Sequence, residues 1–229
     1  MTRLGNKEYL ISLLKKMPML LFGLFLYSAG IVATLYSRLG MSPWEVFHMG
    51  IVNHTPLTLG QASQVTGLCI LALSYFIGVI PGLASVMNMY FIGFFIDLID
   101  RSGFYKTPDT ILGKLSLLML GILMIGWATF FYLKVQLGAG PRDGLMEGLV
   151  KKMNKPVWLI RGAIELTVLT IGYLLGGPIG VGTLIIAFTI GLSVQLAFRM
   201  GKYDSKSVEH ENLLMMADNF KKKQEEHIP

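Results

Sequence analysis

The chain has 229 residues, and its 20 Lys and Arg and 14 Asp and Glu make up 15% of it, against about 25% in an ordinary soluble domain. Met17 to Ser37, Val46 to Ile96, Leu115 to Leu133 and Leu166 to Phe198 carry no charge at all, which excludes a water-soluble globule. One cysteine, Cys69, and four scattered histidines (His48, His54, His210, His227) argue against disulfide, thiol and metal chemistry, and the net charge of +6 gathers at the ends of apolar tracts, where the positive-inside rule accounts for it without a nucleic-acid partner.

Residues 1–16 are polar and basic and read as a cytosolic segment before a retained first helix. Crossing about 30 Å of hydrocarbon takes about 20 apolar residues, so the longer uncharged tracts must each hold more than one crossing. Gly and Pro divide them: Asn53 to Gly60 is a polar break and Gly78 to Gly82 (GVIPG) a tight turn. Spans are therefore predicted at about 17–37, 61–79 and 82–99, making a first unit of 17–105. A linker of 106–114 follows. The second unit, 115–202, has spans at about 115–134, 157–176 and 179–198, and 203–229 is a polar cytosolic tail with Val208, Leu213, Met216 and Phe220 at helical spacing.

The second unit repeats the first. An offset of 98 lays Leu20–Tyr105 over Leu118–Tyr203 without a gap; 19 of the 86 pairs are identical and seven are glycine on glycine. Internal duplication explains this. Three spans per copy is an odd number, so the copies should enter the membrane from opposite sides. Charge agrees with that inversion: Asn53, His54, Leu57 and Ser63 of copy one become Lys151, Lys152, Lys155 and Arg161 in the copy expected to face the cytosol. Both termini are predicted to be cytosolic. Inverted repeats are a recurring plan of secondary transporters, with the site near the midplane.

After the first span of each copy comes a short helix signal, GMSPWEVFHMGI from Gly40 and GAGPRDGLMEGL from Gly138. Pro43 or Pro141 suits the first helical turn, and Glu45 or Asp143 faces the positive helix end. Twelve residues make about 18 Å of helix and cannot span. Two readings stand: re-entrant half-helices lining a polar cavity, or interfacial helices capped by their own acids, with Trp44 as an anchor. Arg161 and Glu165, four apart on the fifth span, should neutralise each other inside the bundle. Asp97 and Arg101 read as an interfacial pair, Gln64 and Gln195 as polar candidates at spans two and six, and His48 and His54 as surface residues.

These two short motifs, with Arg161, Glu165 and GGPIGVGTLIIAFTIGLSVQ (Gly176–Gln195), resemble the YczE/YyaS family of bacterial integral membrane proteins, more loosely the YitT proteins, over roughly residues 18–200. Glu45 departs from the Asp expected there. The resemblance implies fold and a bacterial plasma-membrane location more than an activity. The expectation is thus an all-α polytopic membrane protein of about six transmembrane helices in two inverted three-helix repeats. It would act as a secondary transporter or permease of a small polar solute, using Glu45, Asp143, Arg142, Arg161, Glu165, Gln64 and Gln195; a non-transporting accessory protein is the alternative. Neither an enzymatic constellation nor a P-loop is present, no cofactor is expected, and the expected partner is the lipid bilayer, with a small polar solute and a second copy of the chain in a homo-oligomer as candidates.

Overall fold

A computed structural model describes residues 6–204 and 210–225, all of whose regular structure is helical. In order these are α1 (Asn6–Ser37), α2 (Pro43–His54), α3 (Leu59–Ile77), α4 (Leu83–Ser102), α5 (Ile111–Lys134), α6 (Pro141–Met153), α7 (Val157–Leu174), α8 (Val181–Met200) and α9 (Leu213–Glu225). Six of them, α1, α3, α4, α5, α7 and α8, are long and apolar enough to cross a membrane. The protein is an all-α polytopic membrane protein. The spans fall within a few residues of prediction except the first, which begins at Asn6 rather than near Met17. Tyr9 and Leu13 are buried there, so the basic stretch continues the helix instead of preceding it.

At the centre α1 crosses α5 through small residues. A methyl group added to Gly30 would press on Gly121 and Ile125, and one added to Gly23 on Ala128 and Tyr132. These two contacts are equivalents under the 98-residue offset. In lipid, where no hydrophobic force pulls helices together, such close backbone approach is what holds them. Outside this pair α4 packs on α1, and α8 on α5. The short helices change sides: α2 leans on α7 and α6 on α3, so each copy's half-helix is supported by the other copy.

The turns that launch α2 and α6 are also equivalent. Gly40 and Gly138 have φ of +123° and +119°, which a residue with Cβ adopts only under strain. Beside them, Gly182 N–H donates to the Leu39 carbonyl and Ala84 N–H to the Leu137 carbonyl, both at 2.7 Å. Each half-helix is therefore tied at its root to the start of a long helix.

One seam differs between the halves. Between α3 and α4, Asp97 accepts hydrogen bonds from the Thr58 hydroxyl and, at 2.9 Å, from Gly60 N–H, while Gln64 Nε2 donates to the Tyr90 carbonyl at 2.8 Å. Gly60 and Gly93 meet backbone to backbone. Asp97 thus ties two helices and does not pair with the exposed Arg101, contrary to the expectation from their spacing. Among the described residues none of these contacts recurs between α7 and α8. The positions equivalent to Gln64 and Gly93 are Gly162 and Gly191, and a methyl at either would find nothing within 4 Å.

The described part of the tail, from residue 210, docks on the bundle. Glu211 N–H donates to the Gln136 carbonyl, Leu213 N–H to the Pro81 carbonyl, and the Tyr9 hydroxyl to Glu211 Oε1 at 2.6 Å. Of the predicted tail stripe, Leu213 and Met216 lie on or beside this contact, whereas Val208 and the side chain of Phe220 lie outside what the structure describes. The start of α1 and the C-terminal segment consequently meet on one side of the bundle.

Candidate functional site

The first turns of α2 and α6 converge. Both helices open on proline, at Pro43 and Pro141, and both carry their acid in the first turn. Neither acid hydrogen-bonds to the backbone of its own helix among the described residues; each turns outward. Glu45, 3% exposed, accepts from Arg142 Nη2 at 3.2 Å, so an acid of copy one pairs with a cation of copy two. The Arg142 guanidinium also lies over the Trp44 ring, 4.7 Å from its centroid, in a cation–π contact. Asp143 Oδ2 accepts from the Tyr132 hydroxyl at 2.9 Å. Burying the Glu45 carboxylate would cost several kcal/mol unpaired, and the guanidinium offsets that cost.

Between these turns is a cavity of about 150 Å³. Residues of both copies line it, among them Glu45, His48, Arg142, Asp143, Arg161 and Glu165. Arg161 Nε donates to Glu165 Oε1 at 3.0 Å, which makes the expected i, i+4 pair, but their side chains are 54% and 34% exposed. They line the cavity from α7 and are not sealed in a packed interior. Gly140 and Pro141 line both this cavity and a second one of about 990 Å³ between α3, α6 and the segment His210–Asn212, so the root of α6 separates the two spaces.

Five of the seven sequence candidates thus come together: Glu45, Asp143, Arg142, Arg161 and Glu165. Gln64 is spent on the Tyr90 carbonyl and Gln195 is exposed on α8; neither lines the cavity. His48 is placed otherwise than expected. It is 2% exposed, lines the cavity, and its Nε2 has no hydrogen-bond partner among the described residues. His54, at the end of α2, is exposed as predicted. The spacing of His48 three residues after Glu45 puts both on one face of α2, which was the available signal. Tyr27, Tyr132 and Asn88 also line the cavity, and nothing in their local sequence marks them.

A family model described as a family of unknown function (DUF6198) matches residues 14–199. The membrane protein YczE of Bacillus subtilis is 35% identical over 177 residues, covering 76% of this chain and 81% of that protein. The chain belongs to this family, with YczE and YyaS as relatives. A Haemophilus influenzae protein is 32% identical over 181 residues, 79% of this chain and 82% of its own length, and YyaS of Bacillus subtilis is 26% identical over 167 residues, 71% and 82%. No solved structure matches. The matched region takes in both half-helices and the six long helices apart from the first eight residues of α1 and the last of α8, so the cavity described above lies wholly within it.

Proposed function

We propose that this family member is a permease for a small polar solute, working by alternating access between inverted repeats in the bacterial plasma membrane, with both termini cytosolic. The observation that carries the reading is the polar cavity between the two half-helix starts, lined by both copies and holding five charged side chains. Charges at membrane depth cost a few kcal/mol each and mark function by default.

The two seams supply the motion. With the N terminus inside, the zipped seam of α3 and α4 closes the outer side and the open seam of α7 and α8 faces inward, as does the larger space beneath the root of α6. Exchange of the two arrangements, α7 closing on α8 while α3 parts from α4, would present the cavity to the other side. In this reading α2 and α6 are re-entrant, one from each face.

Paired spin labels test it. With Cys69, which is exposed, replaced by Ser, labels at the exposed positions Val65 and Phe94 report one seam, and labels at Ala163 and Leu192, their equivalents, report the other. In lipid nanodiscs the two distances are expected to show two populations that trade inversely, one seam short when the other is long. A single fixed distance at each seam in every condition would remove the basis for alternating access.

A further inference from the structure

We propose that the central cavity binds a small ammonium group, with the Asp143 carboxylate as its counter-charge and His48 Nε2 as a hydrogen-bond acceptor. The proposal rests on the reading of this cavity as the solute site. Its basis is what the cavity leaves unmatched. Three carboxylates line it, Glu45, Asp143 and Glu165, against two guanidiniums, Arg142 and Arg161. Glu45 is taken by Arg142 and Glu165 by Arg161. Among the described residues Asp143 has only the neutral Tyr132 hydroxyl on one oxygen and no ion pair, so one negative charge faces the cavity without a cation of its own. The His48 imidazole adds a buried nitrogen with no partner, and an unsatisfied buried polar atom costs about 1–3 kcal/mol until something bonds to it.

An ammonium group supplies both missing partners, one positive charge and several N–H donors. An anion fits worse. The two half-helix starts that would attract one already carry their own carboxylates, and both guanidiniums are engaged. A metal ion lacks ligands, because no group of three or more His, Cys, Asp or Glu stands together among the described residues. The volume matches that of an engineered cavity known to hold benzene, so the solute should have about six non-hydrogen atoms or fewer.

The test uses the full-length chain in nanodiscs with Trp127→Phe and Trp158→Phe, which leaves Trp44, at the cavity wall, as the sole tryptophan. Methylammonium and propylammonium chloride are titrated at fixed pH, with tetramethylammonium chloride, sodium chloride and sodium acetate as parallel arms. A saturable change in Trp44 fluorescence is expected with the two N–H-bearing ions. Asp143→Asn should weaken binding at least about tenfold, the loss of a charge-assisted hydrogen bond, and His48→Leu several-fold. Asp143→Glu, which keeps the charge, should retain saturable binding. Equal saturation by sodium or by tetramethylammonium, a response to acetate alone, or unchanged binding in Asp143→Asn would overturn the assignment. Should Asp143→Asn not fold, the selectivity of the wild-type cavity among the five salts still decides. Saturable ammonium binding without alternation of the spin-label distances would sink the permease and leave the site; alternation without ammonium binding would do the reverse.

Discussion

The seam of α3 with α4 and the seam of α7 with α8 descend from one sequence and are built differently. The first is closed by a backbone contact of Gly60 with Gly93 and by Asp97, whose two oxygens hold Thr58 and Gly60. In the second, Gly93 has kept its glycine as Gly191, yet Gly60 has become Trp158, Thr58 has become Pro156 and Asp97 has become Gln195. Every element of the polar latch is gone. What remains are two mid-helix glycines with open space around them, each costing about 1 kcal/mol relative to alanine with no packing return in this arrangement. In the proposed permease cycle these positions would gain their packing when α7 closes on α8.

Matched substitutions are the sharpest way to break the comparison. Gly93→Val should push the backbones of α3 and α4 apart and lower stability by about 3 kcal/mol, an overpacking cost, whereas Gly191→Val should change it by less than about 1 kcal/mol. Thermal unfolding in detergent measures both. Equal losses would mean that the open seam is closed in the folded protein.

Next in size is the latch. Asp97→Ala leaves the Gly60 N–H and the Thr58 hydroxyl without their acceptor and should cost about 2 kcal/mol, while Gln195→Ala on the exposed face of α8 should stay within about 0.5 kcal/mol. Denaturation midpoints of the two variants check this, and a costly Gln195→Ala would point to a partner for α8. In the opposite direction, Gly162→Ala should raise stability by up to about 1 kcal/mol in the present arrangement. The same variant should deplete the short-distance population between labels at Ala163 and Leu192. If that population is untouched, Gly162 has no part in closure.

The smallest effect is expected at Arg161 and Glu165. Read from sequence as a pair inside the bundle, they should cost several kcal/mol to separate; with side chains 54% and 34% exposed, Glu165→Gln should cost under about 1 kcal/mol. A loss of several kcal/mol by unfolding would show that the pair is buried by lipid or by a second copy of the chain.

The length of uncharged tracts and their Gly and Pro breaks were enough to place the long helices, and Pro43 with Glu45 and Pro141 with Asp143 were enough to start the short ones. These are local signals. What stayed hidden depends on which helix lies beside which. The spacing of Glu45 and His48 puts the two on one face of α2, but that this face turns inward depends on α7, more than a hundred residues away. Asp97 finds Thr58 and Gly60 across 39 and 37 residues, and the i, i+4 spacing to Arg101 pointed to the wrong partner. The first helix was set too short because Lys15 and Lys16 interrupt the apolar run, although a helix at the membrane boundary carries such residues readily.

Trp44 and Arg142 occupy the same place in the two copies, and they touch each other. In a dimer of identical chains, a position that meets its own equivalent across a two-fold axis has to be complementary to itself. Arginine against arginine would repel at that spot, and tryptophan against tryptophan would leave Glu45 without a counterion. Joining two copies into one gene removes the constraint, because each half can then mutate alone. The tryptophan–arginine stack, with Glu45 neutralised beside it, is an arrangement open to a fused ancestor and closed to a symmetric pair of separate subunits.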